Sequence, residues 1–160
     1  LREVQPDDAK ALAEASLLVL KAGTPLPTVR RDPIVAIVGD GAEDRAHPAD
    51  LRVDPDEPVE QMVAQFRLWL PPDGERLVRM EAMFGREALM PLVQGLRVAL
   101  QQAIARADQA DAHKMAGLAG TLGFAAASAS WQAVDQGTGD RAAALRDSRT
   151  ALVAINRWLA

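Results

Sequence analysis

At 160 residues and 49% apolar side chains, the chain is long enough for one or two small packed domains and too apolar for a disordered tail. It has no cysteine, which excludes disulfides and thiolate metal sites, and its two histidines, His47 and His113, are too few for a multi-histidine metal centre. A formal net charge of −4 argues against nucleic acid as a partner, and no apolar run reaches the ~18 residues a membrane span needs.

These features read as a soluble, cytoplasmic protein with no membrane partner. No signal peptide is visible, and a start at Leu1 rather than methionine reads as a piece of a larger protein. Proline and charge divide the chain. Nine of the ten prolines lie at or before Pro72. Residues 1–72 carry eight Lys/Arg against thirteen Asp/Glu, a net −5, whereas residues 73–160 carry ten against nine, a net +1. The doublet Pro71-Pro72 cannot continue a helix. The expected domains are therefore an α/β segment over 1–72 and a helical bundle over 73–160.

The first half alternates strand and helix signals. Ser16-Leu17-Leu18-Val19-Leu20 and Ile34-Val35-Ala36-Ile37-Val38 read as buried strands. Val59, Met62, Val63, Phe66 and Leu70 form a helical stripe opened by Pro58 at a first-turn position. Such alternation predicts an α/β unit. The half also resembles the back part of a response-regulator receiver domain. Leu20-Lys21-Ala22-Gly23-Thr24-Pro25 keeps the spacing and proline of the family's Asp-x-x-Met-Pro turn. Pro33-Ile34-Val35-Ala36-Ile37-Val38 is similar to a later receiver strand, and Asp54-Pro55 stands where the family has Lys-Pro. By that resemblance Lys21 replaces the phosphoacceptor aspartate, Val38 the phosphoryl-contacting hydroxyl and Asp54 the lysine. The resemblance thus implies a degenerate, structural receiver relative that forms no aspartyl phosphate. An unrelated linker domain is the other reading of this half. The Gly39-Asp40-Gly41 turn is too short for a phosphate loop.

The second half reads as helix throughout. Leu77, Met80 and Phe84 suit a short helix ending near Gly85. Leu89, Leu92, Val93, Leu96, Leu100 and Ile104 mark a long one, with Pro91 near its first turn. Asp108 is the expected cap of a third helix that Gly123 ends. A fourth carries Ala127, Trp131 and Val134 and stops before Gly137. A fifth is capped by Asp140 and carries Leu145, Leu152, Ile155 and Leu159. Short loops between amphipathic helices predict an antiparallel up-down bundle. Trp131 and Trp158 read as core anchors, and Met80, Met83, Met90 and Met115 as packing.

The third helix holds the most informative residue. At about 100° per residue, Met115, Leu118, Ala119 and Leu122 fall on the face opposite His113. His113 shares its own face with Gln109, Ala110, Ala116, Gly117 and Gly120, nearly all of them very small. Two glycines in a helix interior, each weakening it by about 1 kcal/mol relative to alanine, point to something approaching the imidazole. Asp108 and Asp111 are expected to wind toward the core side.

The run Ala112-His113-Lys114-Met115-Ala116-Gly117-Leu118-Ala119-Gly120-Thr121-Leu122-Gly123 resembles the histidine-containing phosphotransfer (HPt) domain, whose motif reads A-H-x-L-K-G-x-A-x-x-L-G. Ala112, Gly117, Ala119, Leu122 and Gly123 keep their spacing from His113, and Met115 stands for the leucine. Ala116 stands where the family has a lysine that helps hold the phosphoryl group. The resemblance covers roughly residues 74–159. It implies a mainly α protein, an HPt-like antiparallel four-helix bundle with a smaller N-terminal receiver-like α/β part.

It also implies a function: His113 accepts a phosphoryl group from a receiver aspartate and passes it to another receiver. Imidazole titrates near about pH 6.5, so much of it is neutral and nucleophilic in the cytoplasm. Phosphoryl transfer passes through a loose in-line transition state, so positioning and charge management suffice. Gly117 and Gly120 would give clearance, Gln109 a hydrogen bond to the phosphoryl oxygens, and Lys114 charge compensation. No cofactor is expected in this chain, since the Mg²⁺ belongs to the partner receiver. The implied partners are receiver domains and, upstream, a histidine kinase. The result is a phosphotransfer protein with a phosphohistidine intermediate rather than a turnover enzyme.

Three readings compete. A non-transferring adaptor would keep the docking face and lose transfer, as Ala116 and the damaged receiver-like half would allow. A histidine-kinase dimerisation hairpin fits less well, because that family places an acidic residue after its histidine and Lys114 follows here. The bland reading of an isolated histidine is a polar surface residue, and that is the reading of His47, in a stretch of charged and small residues.

Overall fold

The aliphatic runs at Leu17–Lys21 and Ile34–Val38 form strands that supply each other's backbone ladder. The computed structural model describes residues 9–27, 32–39 and 49–160. The expected loop around His47 and the turn residues Asp40 and Gly41 lie outside the described residues. Among the described residues the protein is mainly helical, with seven α-helices and a three-stranded parallel sheet. It divides into two compact units, Leu1–Leu70 and Pro71–Ala160.

The first unit contains α1 (Ala9–Glu14), β1 (Leu17–Lys21), β2 (Ile34–Val38), β3 (Leu51–Val53) and α2 (Val59–Leu68). The strand order is β1-β2-β3, all parallel, pairing Leu17 with Ile34 through Lys21 with Val38, and Ala36 with Leu51 through Val38 with Val53. The central strand β2 buries Ile34, Val35, Ala36 and Ile37 without alternation, as a strand covered on both faces must. β1 was expected to be buried throughout. Among the described residues it pairs on one side only, buries Leu18, and exposes Lys21. Asp50 ties the start of β3 to the centre of the sheet: its backbone N–H donates to the Val35 carbonyl at 2.8 Å, and its carboxylate accepts from the Val35 N–H at 2.9 Å. Pro58 sits at the N-cap of α2, one position before the helix proper. The expected α2 stripe is only half realised. Met62, Val63 and Phe66 are half-buried, whereas Val59 is exposed and Leu70 lies exposed beyond the helix end.

The second unit contains α3 (Glu75–Phe84), α4 (Arg86–Ala105), a 3-10 turn (Ala107–Gln109), α5 (Ala112–Thr121), α6 (Ala125–Asp135) and α7 (Arg141–Leu159). α5 packs against α6, α6 against α7, α7 against α4 and α4 against α5, while α3 lies on α4. Leu89, Val93, Leu96, Leu100 and Ala103 form the buried stripe of α4. They meet Met115, Ala119 and Leu122, Trp131 of α6, and Ala144, Ala151, Leu152 and Ile155 of α7. Trp131 is fully buried. Its Nε1–H donates to Ser148 Oγ at 2.8 Å, and that hydroxyl donates to the Ala144 carbonyl at 2.8 Å, so both buried polar groups are satisfied. Asp140 caps α7 as expected, accepting from the Ala142 N–H at 3.0 Å.

Several packing expectations are corrected. Met83 and Phe84 are 74% and 61% exposed, because α3 turns only Leu77 fully inward. Leu92 and Ile104 are exposed on α4, whereas Leu145 and Leu159 of α7, half-buried, pack against the core with Leu152 and Ile155 as their stripe predicts. Trp158 packs against the core but is only partly buried. It lies at the rim, donates from Nε1 to Glu81 Oε2 at 2.9 Å, and has the Arg86 guanidinium 4.4 Å from its ring centroid. α4 starts at Arg86, so Pro91 lies inside its second turn rather than in the first, where it cannot donate to the Glu87 carbonyl.

Candidate functional site

The site is set by how α5 begins and how α6 returns beside it. Asp111, not Asp108, caps α5: its Oδ1 accepts from the Lys114 N–H at 3.0 Å. Asp108 lies in the 3-10 turn, and both aspartates are exposed rather than turned to the core. Two residues into the helix, the His113 side chain is 88% exposed. On the far face Met115 and Ala119 are buried, followed by buried Leu122 at the helix end, while Leu118 is half-buried. Gly123, with φ of +85°, ends the helix as expected. A Cβ there would collide with the Arg76 side chain.

α5 and α6 form a hairpin centred on Phe124. Gly120 and Ser128 lie four residues before and after it, and His113 and Asp135 eleven before and after. That symmetry brings Asp135 Oδ2 to 3.1 Å from His113 Nδ1. An ionised carboxylate can only accept a hydrogen bond, so the pairing favours the tautomer with its proton on Nδ1. The Nε2 lone pair is then free on the exposed side of the ring. The sequence singled out His113 but not Asp135. Its signal is the equal spacing about the Gly123-Phe124 turn.

The small residues near His113 have three different roles. Gly117 faces open space, with nothing within 4 Å of where a Cβ would stand. Gly120 does not provide clearance: a Cβ there would lie 2.9 Å from Ser128 Oγ, so the glycine admits α6. Ala116 is half-buried on the same side, and its carbonyl accepts from Ser128 Oγ at 2.9 Å. Gln109 belongs to the 3-10 turn and is therefore not one helical turn before His113. With Lys114 it lines a groove of about 520 Å³ between the end of α4 and the start of α5. Ala110, expected on the His113 face, also lies on that groove, outside the helix.

The structure thus brings His113 together with Asp135, Ala116, Gly117 and Gly120 on the α5–α6 side. It places Gln109 and Lys114 on the α4–α5 side. In the first unit, Lys21 and Val38 are paired at the C-terminal ends of β1 and β2, and Asp54 follows β3 directly, where its carboxylate accepts from the Asp56 N–H at 2.9 Å. No group of three or more potential metal ligands occurs among the described residues, and no helix among them is long and apolar enough to cross a membrane. In comparisons with protein-family models, curated proteins and solved structures, none matches the chain.

Proposed function

We propose that this chain relays phosphoryl groups through His113, as an HPt-like antiparallel four-helix bundle built from α4 to α7. The observation that carries the proposal is the Nδ1 contact to Asp135 on an otherwise exposed ring. In the forward step the Nε2 lone pair bonds to phosphorus while the bond from phosphorus to the donor aspartate's oxygen breaks. The electron pair leaves with the donor's carboxylate. The ring gains positive charge as Nε2 is phosphorylated, and the Asp135 carboxylate at Nδ1 offsets it. The return step to an acceptor aspartate is the reverse. His113 projects toward the N-terminus of α5, where the partial positive charge of the helix favours an anion. The Mg²⁺ belongs to the partner receiver, in a cytoplasmic relay fed by a histidine kinase.

The receiver-like reading of the first unit is supported by where Lys21, Val38 and Asp54 fall, at the C-terminal edge of adjoining parallel strands. An amine, an alkyl group and a displaced carboxylate there form no aspartyl phosphate, so that unit is structural.

The test is incubation with a phosphorylated receiver. Acid-labile, base-stable label on the wild type and none on His113→Gln is the expected result; no label from a panel of phosphorylated receivers would overturn the reading. One observation favours the non-transferring adaptor instead. Ala116 is tied to α6 and Lys114 lines the α4–α5 groove, so neither supplies a cation on the Gly117 side. Receiver binding that survives His113→Ala, with no transfer in the wild type, would select that alternative.

A further inference from the structure

The α4–α5 groove is not used by the relay, since His113 does not line it. We propose that it binds a small organic monocarboxylate with an apolar body. Its volume of about 520 Å³ falls within the range of about 300–1,000 Å³ for small-molecule sites. The space exists because the walls are built from Ala99, Ala103, Ala105 and Ala110, with the buried Met115 on the α5 side. Larger aliphatic side chains at these positions would close it.

The polar lining selects the charge of the occupant. Arg106 and Lys114 are exposed, and neither side chain has an acceptor among the described residues. Asp111 is the one acidic group lining the groove, and it already accepts from the Lys114 N–H. The formal charge of the lining is therefore +1, which matches a single carboxylate rather than a phosphate dianion or a polyanion. A guanidinium holds a carboxylate through two parallel hydrogen bonds, and an ammonium adds a point charge. The Gln102 and Gln109 amides also line the groove and have no partner among the described residues, which leaves donors and acceptors for a second polar group.

The experiment is an amide ¹H–¹⁵N NMR titration of the whole chain with 4-phenylbutyrate. Saturable shifts confined to residues 99–115 are expected, with affinity at least about tenfold above that of the neutral 4-phenylbutanamide. The double variant Arg106→Gln/Lys114→Gln, both surface changes, should lose about tenfold. Ala105→Leu, at an exposed wall position, should block carboxylate and amide alike. His113→Ala should bind as the wild type does, which separates this site from the relay. Equal affinity for carboxylate and amide, an unaffected double variant, or inorganic phosphate shifting the same amides as strongly would each overturn the proposal.

Discussion

Ser128 stands over Gly120. Its Oγ lies 2.9 Å from the point a Cβ on Gly120 would occupy, and it donates to the Ala116 carbonyl at 2.9 Å. The second glycine of the histidine helix is therefore a packing residue, and the bond beside it helps fix the spacing at which Asp135 reaches His113.

The two glycines should respond oppositely to alanine. At Gly117 the space is open, so Gly117→Ala should stabilise by up to about 1 kcal/mol through helix propensity. Gly120→Ala gains the same term but drives a methyl into Ser128 Oγ, and overpacking of about 1–3 kcal/mol outweighs it. Urea unfolding should place the two variants on opposite sides of the wild type. Two stabilised variants would mean that Ser128 moves aside freely.

The two aspartates before α5 give a second contrast. Asp111→Ala removes the cap on the Lys114 N–H and should cost about 1 kcal/mol. Asp108→Ala changes an exposed side chain in a 3-10 turn and should stay within about 0.5 kcal/mol. Thermal or urea unfolding distinguishes them.

That pair also shows what could be read from the sequence. A helix through His113 was legible from periodicity, but its start was read three residues early, after Asp108, because which aspartate capped it was not legible. Capping depends on where the chain first turns, and the 3-10 turn at Ala107–Gln109 shifts that point. The long aliphatic stripe of α4 was legible for the same reason, yet Leu92 and Ile104 within it are exposed. Residue type does not say how wide the neighbouring helices are. β3, only Leu51–Val53, is too short to carry a period. His113 stood out through its small neighbours, whereas Asp135 depends on a contact 22 residues away that only the hairpin creates.

The core should be sensitive at one polar bond. Ser148→Ala leaves the buried Trp131 Nε1–H without its acceptor and should cost about 1–3 kcal/mol. In a Trp131→Phe background the same change should cost less, because no donor is stranded. Equal costs in the two backgrounds would show that the bond contributes little.

Asp135 offers a way to separate tautomer from charge. Asp135→Asn keeps an oxygen that can accept from Nδ1–H but removes the negative charge, whereas Asp135→Ala removes both. Ring ¹⁵N shifts of the neutral imidazole should report the Nδ1–H tautomer in the wild type, largely the same in Asp135→Asn, and a shift toward Nε2–H in Asp135→Ala. In the proposed relay, phosphoryl acceptance should slow in both variants, by about threefold to tenfold in Asp135→Asn. A charge-assisted hydrogen bond is roughly twice as strong as a neutral one, and the carboxylate's partial exposure moderates the difference. Asp135→Ala should be slower still, because its ring presents the wrong nitrogen for part of the time. If ring shifts are identical in all three proteins, the carboxylate does not set the tautomer, and the proposed relay loses the contact that carries it.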